Sequence, residues 1–317
     1  MKKLTIVMPY LNEGYEPLYT LQSILFTGNS DLVDVIIIDD HSLKQPDDLK
    51  DKLETYKNVT LVRNDERLGL PKCRDLGSNM AKTPHILVID SHMRFKKDDW
   101  LNKINNLIES EPETMWCTTC SVLNKNHLDV YRPRKRYYGA YIALINKKNN
   151  EDSRPARSII EPKWITRKRP GPEIPCLLGA NYFFAKEWWK KIRGWNGLEM
   201  WGTAEPFISI KTWMAGGKCK ICTDIEIGHI FRDNAPYVTQ VWPLIYNKLF
   251  ICKTILPEHV EKALLKHVKH TRSLNKAMSL MDINKDFIDE QRDYYNDIFV
   301  MSFDEYCKKF DMEIPTC

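Results

Sequence analysis

The sequence predicts an α/β fold in which helices flank a mostly parallel sheet. Four short apolar runs, at residues 4–8, 35–38, 59–62 and 85–92, alternate with stretches of helical character. The connections are short, and each run ends in polar or charged residues. This alternation is typical of parallel sheets with right-handed crossovers. Because such sheets bind ligands outside the carboxyl ends of their strands, the polar run ends are the candidate site.

The helical stretches between these runs carry their own signals. Residues 18–25 have leucine and isoleucine at helical spacing, and residues 46–56 are charged. A helix over 71–80 begins with Pro71, a residue favoured in the first turn of a helix. A helix at 101–108 and a strand at 115–122 follow. Beyond about residue 257 the charged, periodic sequence predicts a C-terminal helical extension.

The composition and the N-terminus predict a soluble, intracellular, cytoplasmic protein. Of 317 residues, 43% are hydrophobic and 28% are charged, as in ordinary globular proteins. The first apolar run stops at Pro9 without the cleavage pattern of a secretory signal. No apolar run approaches the length of a membrane span. We therefore expect no membrane association and no obligate protein partner.

Nine cysteines are spread along the chain without the spacing of a disulfide-rich scaffold. Two C-x-x-C pairs, Cys117/Cys120 and Cys219/Cys222, are compatible with a four-thiolate zinc site. Both pairs lie in predicted strands, where residues three apart face opposite sides of the sheet. Buried free thiols are therefore favoured over a zinc site.

The fourth apolar run ends in Asp90, Ser91 and His92. Side chains two residues apart on an extended chain point the same way, so Asp90 and His92 can converge on one cation. A carboxylate with a neutral imidazole suits Mn²⁺ better than Ca²⁺ or Mg²⁺, which prefer oxygen ligands. A polar turn after a strand is the simpler alternative, because the pattern is short.

The second apolar run is followed by Asp39, Asp40, His41 and Ser42. No G-x-G-x-x-G loop follows the first run, which argues against a classical dinucleotide-binding fold. We therefore expect carboxylates, stacking residues and a metal ion to hold a nucleotide. Asp39 and Asp40 can accept hydrogen bonds from ribose hydroxyls or a uracil N–H. A solvated turn with a helix cap at Ser42 explains them equally well.

Positive charge is concentrated in one segment of the chain. Residues 132–169, the basic segment, hold twelve Lys/Arg and three Asp/Glu, a net charge of +9. The rest of the chain therefore carries −4 of the total of +5. Tyrosines and Trp164 are interleaved with the cations. A solvated loop would explain this segment, and so would a surface that faces a polyanion.

Several further motifs occur in order between residues 4 and 232. They are Pro-Tyr-Leu-Asn-Glu at 9–13, Arg-Asn-Asp-Glu-Arg-Leu-Gly-Leu at 63–70, Asp-Ser-His at 90–92, Trp-Gly at 201–202, Gly-Gly at 216–217 and Gly-His-Ile-Phe-Arg at 228–232. Together they resemble nucleotide-sugar glycosyltransferases of the GT-A fold, and more narrowly the catalytic domain of the polypeptide N-acetylgalactosaminyltransferases. The resemblance implies a Rossmann-like sheet and metal-dependent sugar transfer from a UDP-sugar.

The resemblance also implies roles for individual residues. Asp90, His92 and His229 would be the protein ligands of Mn²⁺ or Mg²⁺, with the donor diphosphate in the remaining positions. Arg74 and Arg232 would reach the donor phosphates or the sugar. The residues implied in donor binding are Pro9, Tyr10, Asn12, Glu13, Asp39, Asp40, Arg67, Arg74, Asp90 and Ser91. Those implied in catalysis are Trp201, Glu205 and Arg232.

The sequence departs from the family pattern in three respects. The family's Trp-Gly-Gly-Glu-Asn-x-Glu is Trp-Gly-Thr-Ala-Glu-Pro-Phe at 201–207, so Glu205 is the one carboxylate left and the choice of sugar stays open. The family's lectin module and membrane anchor have no counterpart, so a role on mucin-type proteins is not expected.

Retention of the anomeric configuration is expected from the family, although Glu205 could serve as the base of an inverting mechanism.

The family likeness divides the chain into a GT-A domain at 1–256 and a helical extension at 257–317. Within the domain, residues 1–122 would bind the nucleotide and residues 123–256 the acceptor. The basic segment therefore lies on the acceptor side. Its cations would contact phosphates, and its aromatic rings could stack on an exposed base.

We therefore expect DNA as the acceptor, with transfer to the hydroxyl of a hydroxymethylated pyrimidine. The expected contacts are Arg132, Arg134, Lys135, Arg136, Arg167, Lys168 and Arg169. One alternative is a transferase that acts on protein Ser/Thr or on a cell-surface saccharide. The other is a non-catalytic polyanion-binding module built on the same fold.

Overall fold

The computed structural model describes residues 2–27, 30–126, 128–144, 159–232, 234–268 and 272–314, and it confirms the predicted α/β fold. The strands are β1 (Leu4–Tyr10), β2 (Val33–Asp39), β3 (Val59–Arg63), β4 (His85–Ile89), β5 (Met93–Phe95), β6 (Thr114–Leu123), β7 (Arg136–Tyr137), β8 (Ala140–Ala143), β9 (Glu161–Trp164), β10 (Asn181–Ala185) and β11 (Lys218–Ile230). The helices are α1 (Glu16–Phe26), α2 (Leu49–Glu54), α3 (Leu70–Met80), α4 (Trp100–Ser110), α5 (Lys186–Lys191), α6 (Ala204–Met214), α7 (Val241–Ile255), α8 (Glu258–His267), α9 (Arg272–Ile283), α10 (Lys285–Ile298) and α11 (Phe303–Lys309).

The first four strands form the parallel half of the main sheet. The strand order is β3-β2-β1-β4-β10-β6-β11-β5, and β7 pairs with β6 beside this path. β1 pairs in parallel with β2 and β4, and β2 pairs in parallel with β3. Every residue of β1 is buried, as expected for a strand that is covered on both faces. The carboxyl ends of β1, β2 and β4 therefore lie side by side.

The second half makes the sheet mixed rather than mostly parallel. β10 lies antiparallel between β4 and β6, and β11 runs parallel to β6 but antiparallel to β5. The apolar pattern of a strand does not encode its direction, and four of the five β10 residues are fully buried. β10 therefore has the apolar sequence of a parallel strand, although it runs the other way.

Helices cover the sheet and continue beyond it. α1, α3, α4 and α6 pack against its strands. α7 is buried along most of its length and contacts α8, α9 and α10, while α11 packs on α6. These contacts confirm the predicted C-terminal helices, whereas the domain boundary at 256/257 stays a prediction. Within the described ranges, no helix has both the length and the apolar character needed to cross a membrane.

The cysteines contribute small apolar side chains to the core. The eight described cysteines are free thiols, and seven of them are buried. Cys117 and Cys120 lie on β6, and Cys219 and Cys222 lie on β11. Burial raises the pKa of Cys117 to about 12, so this thiol stays protonated. The two C-x-x-C pairs are therefore parts of paired strands, as their apolar surroundings in the sequence predict.

A backbone contact joins the start of α3 to the loop before α6. Gly69 forms an isolated parallel bridge with Met200, and the Leu70 N–H donates to the Met200 carbonyl at 2.7 Å. Gly69 has a φ of +91°, and a Cβ atom there would lie 2.2 Å from Cα of Met200. Only glycine permits both this backbone conformation and this close approach.

Replacement of Gly69 by alanine is expected to lower the free energy of unfolding by at least about 2 kcal/mol, because the methyl group would meet backbone atoms. Gly14→Ala is the matched control. Gly14 also has a positive φ, of +61°, but no atom lies within 4 Å of a Cβ there. Gly14→Ala should lower the free energy of unfolding by about 1 kcal/mol. Urea denaturation of both variants measures the difference, and equal losses would show that the contact with Met200 is unimportant.

Candidate active site

Two cavities meet near the carboxyl ends of the parallel strands. The first, of about 350 Å³, lies beside the ends of β1 and β2, and the second, of about 340 Å³, lies beside the start of α6. Both volumes are at the lower end of the range of small-molecule sites, about 300–1,000 Å³. The residues that line both are Leu70, Asp90, Trp201, His229 and Phe231. Two of the three predicted metal ligands therefore lie at the junction.

Strand pairing brings the three predicted metal ligands together. β4 ends just before Asp90, whose N–H donates to the carbonyl of Ala180 at 3.0 Å. The chain then passes through His92 into β5. Because β5 pairs antiparallel with β11, His229 lies opposite Met93, the residue after His92. Residues that are far apart in sequence thus converge through one strand pair.

Helix α1 holds the connection that carries Ser91 and His92. Thr20 on α1 is fully buried. Its hydroxyl donates to the Ser91 carbonyl at 2.7 Å and accepts from the Met93 N–H at 3.0 Å. The backbone on both sides of His92 is therefore fixed. Sequence reasoning missed Thr20, because a single threonine within an apolar helical stretch carries no motif.

The ligand atoms of Asp90, His92 and His229 all lie within 4.8 Å of one another. The two Nε2 atoms are 3.0 Å apart, and Nε2 of His229 is 3.4 Å from Oδ2 of Asp90. Two imidazole nitrogens and a carboxylate oxygen therefore face one point. This donor set fits a borderline cation such as Mn²⁺. Among the described residues, it is the one cluster of His, Cys, Asp and Glu with metal-binding spacing.

Burial and charge set the protonation of these ligands. Burial is the largest influence on His229 and lowers its pKa, although the hydrogen bond to Asp90 opposes it. Burial alone would raise the pKa of Asp90, but the bond to His229 and the charges of His92, Arg74 and His229 together lower it. The site therefore favours a neutral imidazole and a carboxylate, the forms that ligate metals.

Glu13 and Arg232 flank His92 on one side. Nη2 of Arg232 donates to Oε1 of Glu13 at 2.8 Å, and Nη1 of Arg232 also bonds to this carboxylate. Nδ1 of His92 lies 3.0 Å from Nη2 of Arg232 and 3.5 Å from Oε2 of Glu13. Burial would raise the pKa of Glu13, but its bonds to His92 and Arg232 lower it. Glu13 thus presents a carboxylate to His92. Carboxylates in this position orient histidines that bind metals.

Besides its contact with Asp90, His229 is held by aromatic rings. The centroid of its ring lies 4.4 Å from that of Phe231 and 6.3 Å from that of Trp164. Its Nδ1 is buried and has no hydrogen-bond partner among the described residues. The two histidines therefore have different supports, with a carboxylate behind His92 and apolar packing behind His229.

Arg74 joins Asp90, one of the predicted metal ligands, to the second cavity. Its side chain is 1% exposed, and Nη1 donates to Oε1 of Glu205 at 3.0 Å. Nη2 donates to the Gly179 carbonyl at 3.2 Å and lies 3.5 Å from Oδ1 of Asp90. The guanidinium also lies 5.0 Å from the ring centroid of Tyr182. One buried cation thus holds two carboxylates of the site.

The two aspartates after β2 have different surroundings. Asp39 is 2% exposed, accepts from the Ser42 N–H at 2.8 Å and pairs with Arg63. Asp40 accepts from the N–H groups of residues 68 and 69 at 2.7 and 2.9 Å. Asp40 lines the first cavity, whereas Asp39 lines neither cavity. Both carboxylates fix the connections that follow β2 and β3.

Most of the residues predicted to bind the donor, to ligate the metal or to act in catalysis line the first cavity. They are Pro9, Tyr10, Glu13, Asp40, Arg67, Asp90, Ser91, His92, Trp201, His229 and Arg232. Arg74 and Glu205 line the second cavity. Asn12 lines neither, and its Oδ1 accepts from the N–H groups of residues 43 and 44 at 2.9 Å. Sequence reasoning missed Tyr237, which lines the first cavity with its ring 5.3 Å from the Arg67 guanidinium.

The described cations of the basic segment lie outside both cavities, although Glu161, Pro162 and Trp164 of the same segment line the second cavity. The predicted acceptor contacts that line neither cavity are Arg132, Arg134, Lys135, Arg136 and Lys168. Arg167 and Arg169 line a separate groove with residues 310–313. Arg136 pairs with Glu226 at 2.6 Å. Residues 145–158 lie outside the described residues. The predicted contacts therefore do not converge on the candidate site.

The sequence is similar to those of known glycosyl transferases. The family model described as glycosyl transferase family 2 matches residues 5–168. Polypeptide N-acetylgalactosaminyltransferase 10 of Homo sapiens is 28% identical over 241 residues, which are 74% of this chain and 38% of that protein. Polypeptide N-acetylgalactosaminyltransferase 11 of Xenopus tropicalis is 28% identical over 242 residues, 74% of this chain and 39% of that protein. The chain thus spans about two fifths of the length of these curated relatives.

Solved structures share the fold. A crystal structure of GalNAc-T7 with UDP, GalNAc and Mn²⁺ matches with a TM-score of 0.76 at 20% identity, over 98% of this chain and 57% of that chain. S. aureus TarS matches with a TM-score of 0.51 at 13% identity, over 86% of this chain and 44% of that chain. The first match confirms the GT-A fold. The family model covers more than half of this chain, and the chain therefore belongs to glycosyl transferase family 2.

Proposed function

We propose that this protein transfers a sugar from a UDP-sugar to an acceptor hydroxyl, using a divalent cation held by Asp90, His92 and His229. The position of this cluster at the junction of two cavities carries the proposal. The diphosphate of a nucleotide sugar lies between its nucleoside and its sugar, so each cavity can take one end. The structural relative crystallised with UDP, GalNAc and Mn²⁺ supports this donor and this metal. The two imidazoles favour Mn²⁺ over Mg²⁺.

The chain's own residues bind and orient the donor in this proposal. A divalent cation held here supplies positive charge beside the leaving diphosphate. Arg232 lines the first cavity next to the cluster, where a guanidinium can contact phosphate oxygens. Arg74 fixes Glu205 at the wall of the second cavity. We assign Glu205 to binding sugar hydroxyls rather than to taking the acceptor's proton, which agrees with the expected retention of configuration.

The acceptor hydroxyl would enter the second cavity. Asp90, Glu161 and Glu205 line this cavity, and the cations beside these glutamates, Arg74 and Lys248, are already paired with them, so a phosphodiester placed there would meet carboxylates. The hypothesis of a hydroxymethylated DNA acceptor rested on the basic segment, whose described cations line neither cavity. The names of the curated relatives refer to polypeptides and lend it no support. We therefore propose an acceptor other than DNA, and the cytoplasmic location stays a prediction.

Mn²⁺-dependent release of UDP from a panel of UDP-sugars tests the proposal. The wild-type protein should release UDP, and a chelator should abolish the release. Asp90→Ala and His229→Ala should lower the rate by more than about a hundredfold, because several kcal/mol of charge stabilisation depend on the bound metal. Glu187→Ala changes an exposed glutamate on α5 and serves as the control. A wild-type protein without metal-dependent UDP release would contradict the proposal.

Glu13→Gln is expected to weaken Mn²⁺ binding about tenfold to a hundredfold, because a carboxylate next to Nδ1 orients the ring of His92. Electron paramagnetic resonance of free Mn²⁺ measures this affinity without substrate. The control is Glu16→Gln, a nearby glutamate that bonds Arg94 at 2.8 Å. Equal affinities in Glu13→Gln and wild type would show that Glu13 does not support His92.

The combined variant Arg132→Ala, Arg134→Ala, Lys135→Ala should transfer sugar at a rate within about twofold of wild type, because surface charges away from a site act weakly at physiological salt. Duplex DNA should likewise not inhibit the wild-type reaction. Steady-state rates at low and physiological salt test both statements. A large loss in the variant, together with inhibition by DNA, would restore a nucleic-acid acceptor.

A further inference from the structure

We propose that the second cavity takes an uncharged saccharide as acceptor and that Glu161 binds its hydroxyl groups. This inference rests on the proposed function and names the substrate class of the same site. Glu161 starts β9 and lines the second cavity together with Glu205. The motifs of the sequence do not include it.

Both carboxylates are fixed from inside the protein by buried cations. Nζ of Lys248, on the buried helix α7, donates to Oε1 of Glu161 at 2.7 Å, and the Lys248 side chain is 0% exposed. On the other wall, Arg74 donates to Oε1 of Glu205 at 3.0 Å. In the described ranges, Oε2 of each glutamate has no hydrogen-bond partner. Each wall thus offers the cavity a fixed acceptor oxygen.

Most of the remaining lining residues are apolar or aromatic, and the polar ones are Arg74, Asp90, Thr203 and His229. The apolar and aromatic residues include Pro162, Trp164, Trp201, Phe231 and Leu244. The rings of Tyr137 and Phe231 pack edge-on against the ring of Trp164, with centroids 5.0 and 5.4 Å from its own. Flat apolar walls with a few fixed polar atoms are typical of ligand sites. A sugar ring matches these walls, since it carries hydroxyl donors on its rim and C–H groups on its faces.

The contacts of the two glutamates assign them to different substrates. Glu205 is joined through Arg74 to the metal ligand Asp90, so its oxygen lies on the side of the leaving diphosphate and the donor sugar. Glu161 is joined through Lys248 to α7, and no described contact links it to the metal cluster. We therefore place the donor sugar beside Glu205 and the acceptor beside Glu161.

The same contacts select the class of acceptor. The cations behind both carboxylates are already paired, so an acceptor with phosphate, sulfate or carboxylate groups would meet carboxylates without a free counter-charge. The hydroxyl of a serine or threonine acceptor must lie at the reacting centre, so a peptide could reach Glu161 only with a backbone N–H or another side chain. A saccharide has further hydroxyls that can donate to Glu161.

An acceptor panel tests the inference. UDP release should be stimulated by neutral mono- and disaccharides, and less by their uronic-acid or sulfated counterparts or by Ser/Thr peptides. Glu161→Gln should raise the KM for the best saccharide about tenfold to a hundredfold, the effect of one hydrogen bond to a charged group. The increase should exceed any change in the donor KM by at least tenfold. Glu173→Gln is the matched control, because Glu173 pairs with Lys309 at 2.9 Å and lines neither cavity.

A paired variant separates recognition from folding. Glu161→Gln leaves a buried lysine next to an amide. Its thermal stability is therefore compared with that of Glu161→Leu combined with Lys248→Met, which removes the ion pair as a unit. The double variant should unfold near the wild-type temperature and still show the higher acceptor KM. Stimulation by peptides alone, or equal rises in donor and acceptor KM, would overturn the inference. Absence of any metal-dependent UDP release would instead overturn the proposed function.

Discussion

A single buried guanidinium holds the site together. Arg74 contacts Asp90 of the metal cluster, Glu205 of the second cavity and the carbonyl of Gly179, and it is 1% exposed. An unpaired charge in such a place would cost several kcal/mol, so the cation and its carboxylates depend on one another. Without Arg74, two carboxylates would repel each other across the junction of the cavities. The predicted metal ligand Asp90 and the second-cavity residue Glu205 are thus parts of one electrostatic unit.

The sequence predicts the parallel half of the sheet because each strand there is a separate apolar run with a polar end. The spacing of Asp90 and His92 predicts that their side chains point the same way, although a polar turn explains the same short pattern. His229 is 137 residues away from His92 and is found only through the Gly-His-Ile-Phe-Arg motif. Glu161 and Lys248 could not be predicted, because neither belongs to a motif and α7 is too evenly buried to show a helical period. The direction of β10 could not be predicted either, because strand pairing is decided by tertiary contacts.

The charges illustrate the difference between composition and structure. The basic segment dominates the net charge, yet Arg136 is paired with Glu226 and the other described cations of the segment line neither cavity. The site itself is built from carboxylates whose counter-ions are hidden beneath the surface. A net charge describes the far field of a protein, which governs encounter and solubility. The chemistry of the acceptor follows from the local field, which depends on a few buried pairs.

The bridge between Gly69 and Met200 has a consequence for the length of the donor. Asp40, in the first cavity, accepts from the Gly69 N–H, and Met200 is next to Trp201, which lines both cavities. The boundary between the two cavities therefore includes bridged main chain as well as the side chains that line both. Bridged main chain can shift less than a side chain can change its rotamer. In the proposed function, the distance between the nucleoside and the sugar would thus be set in part by the backbone.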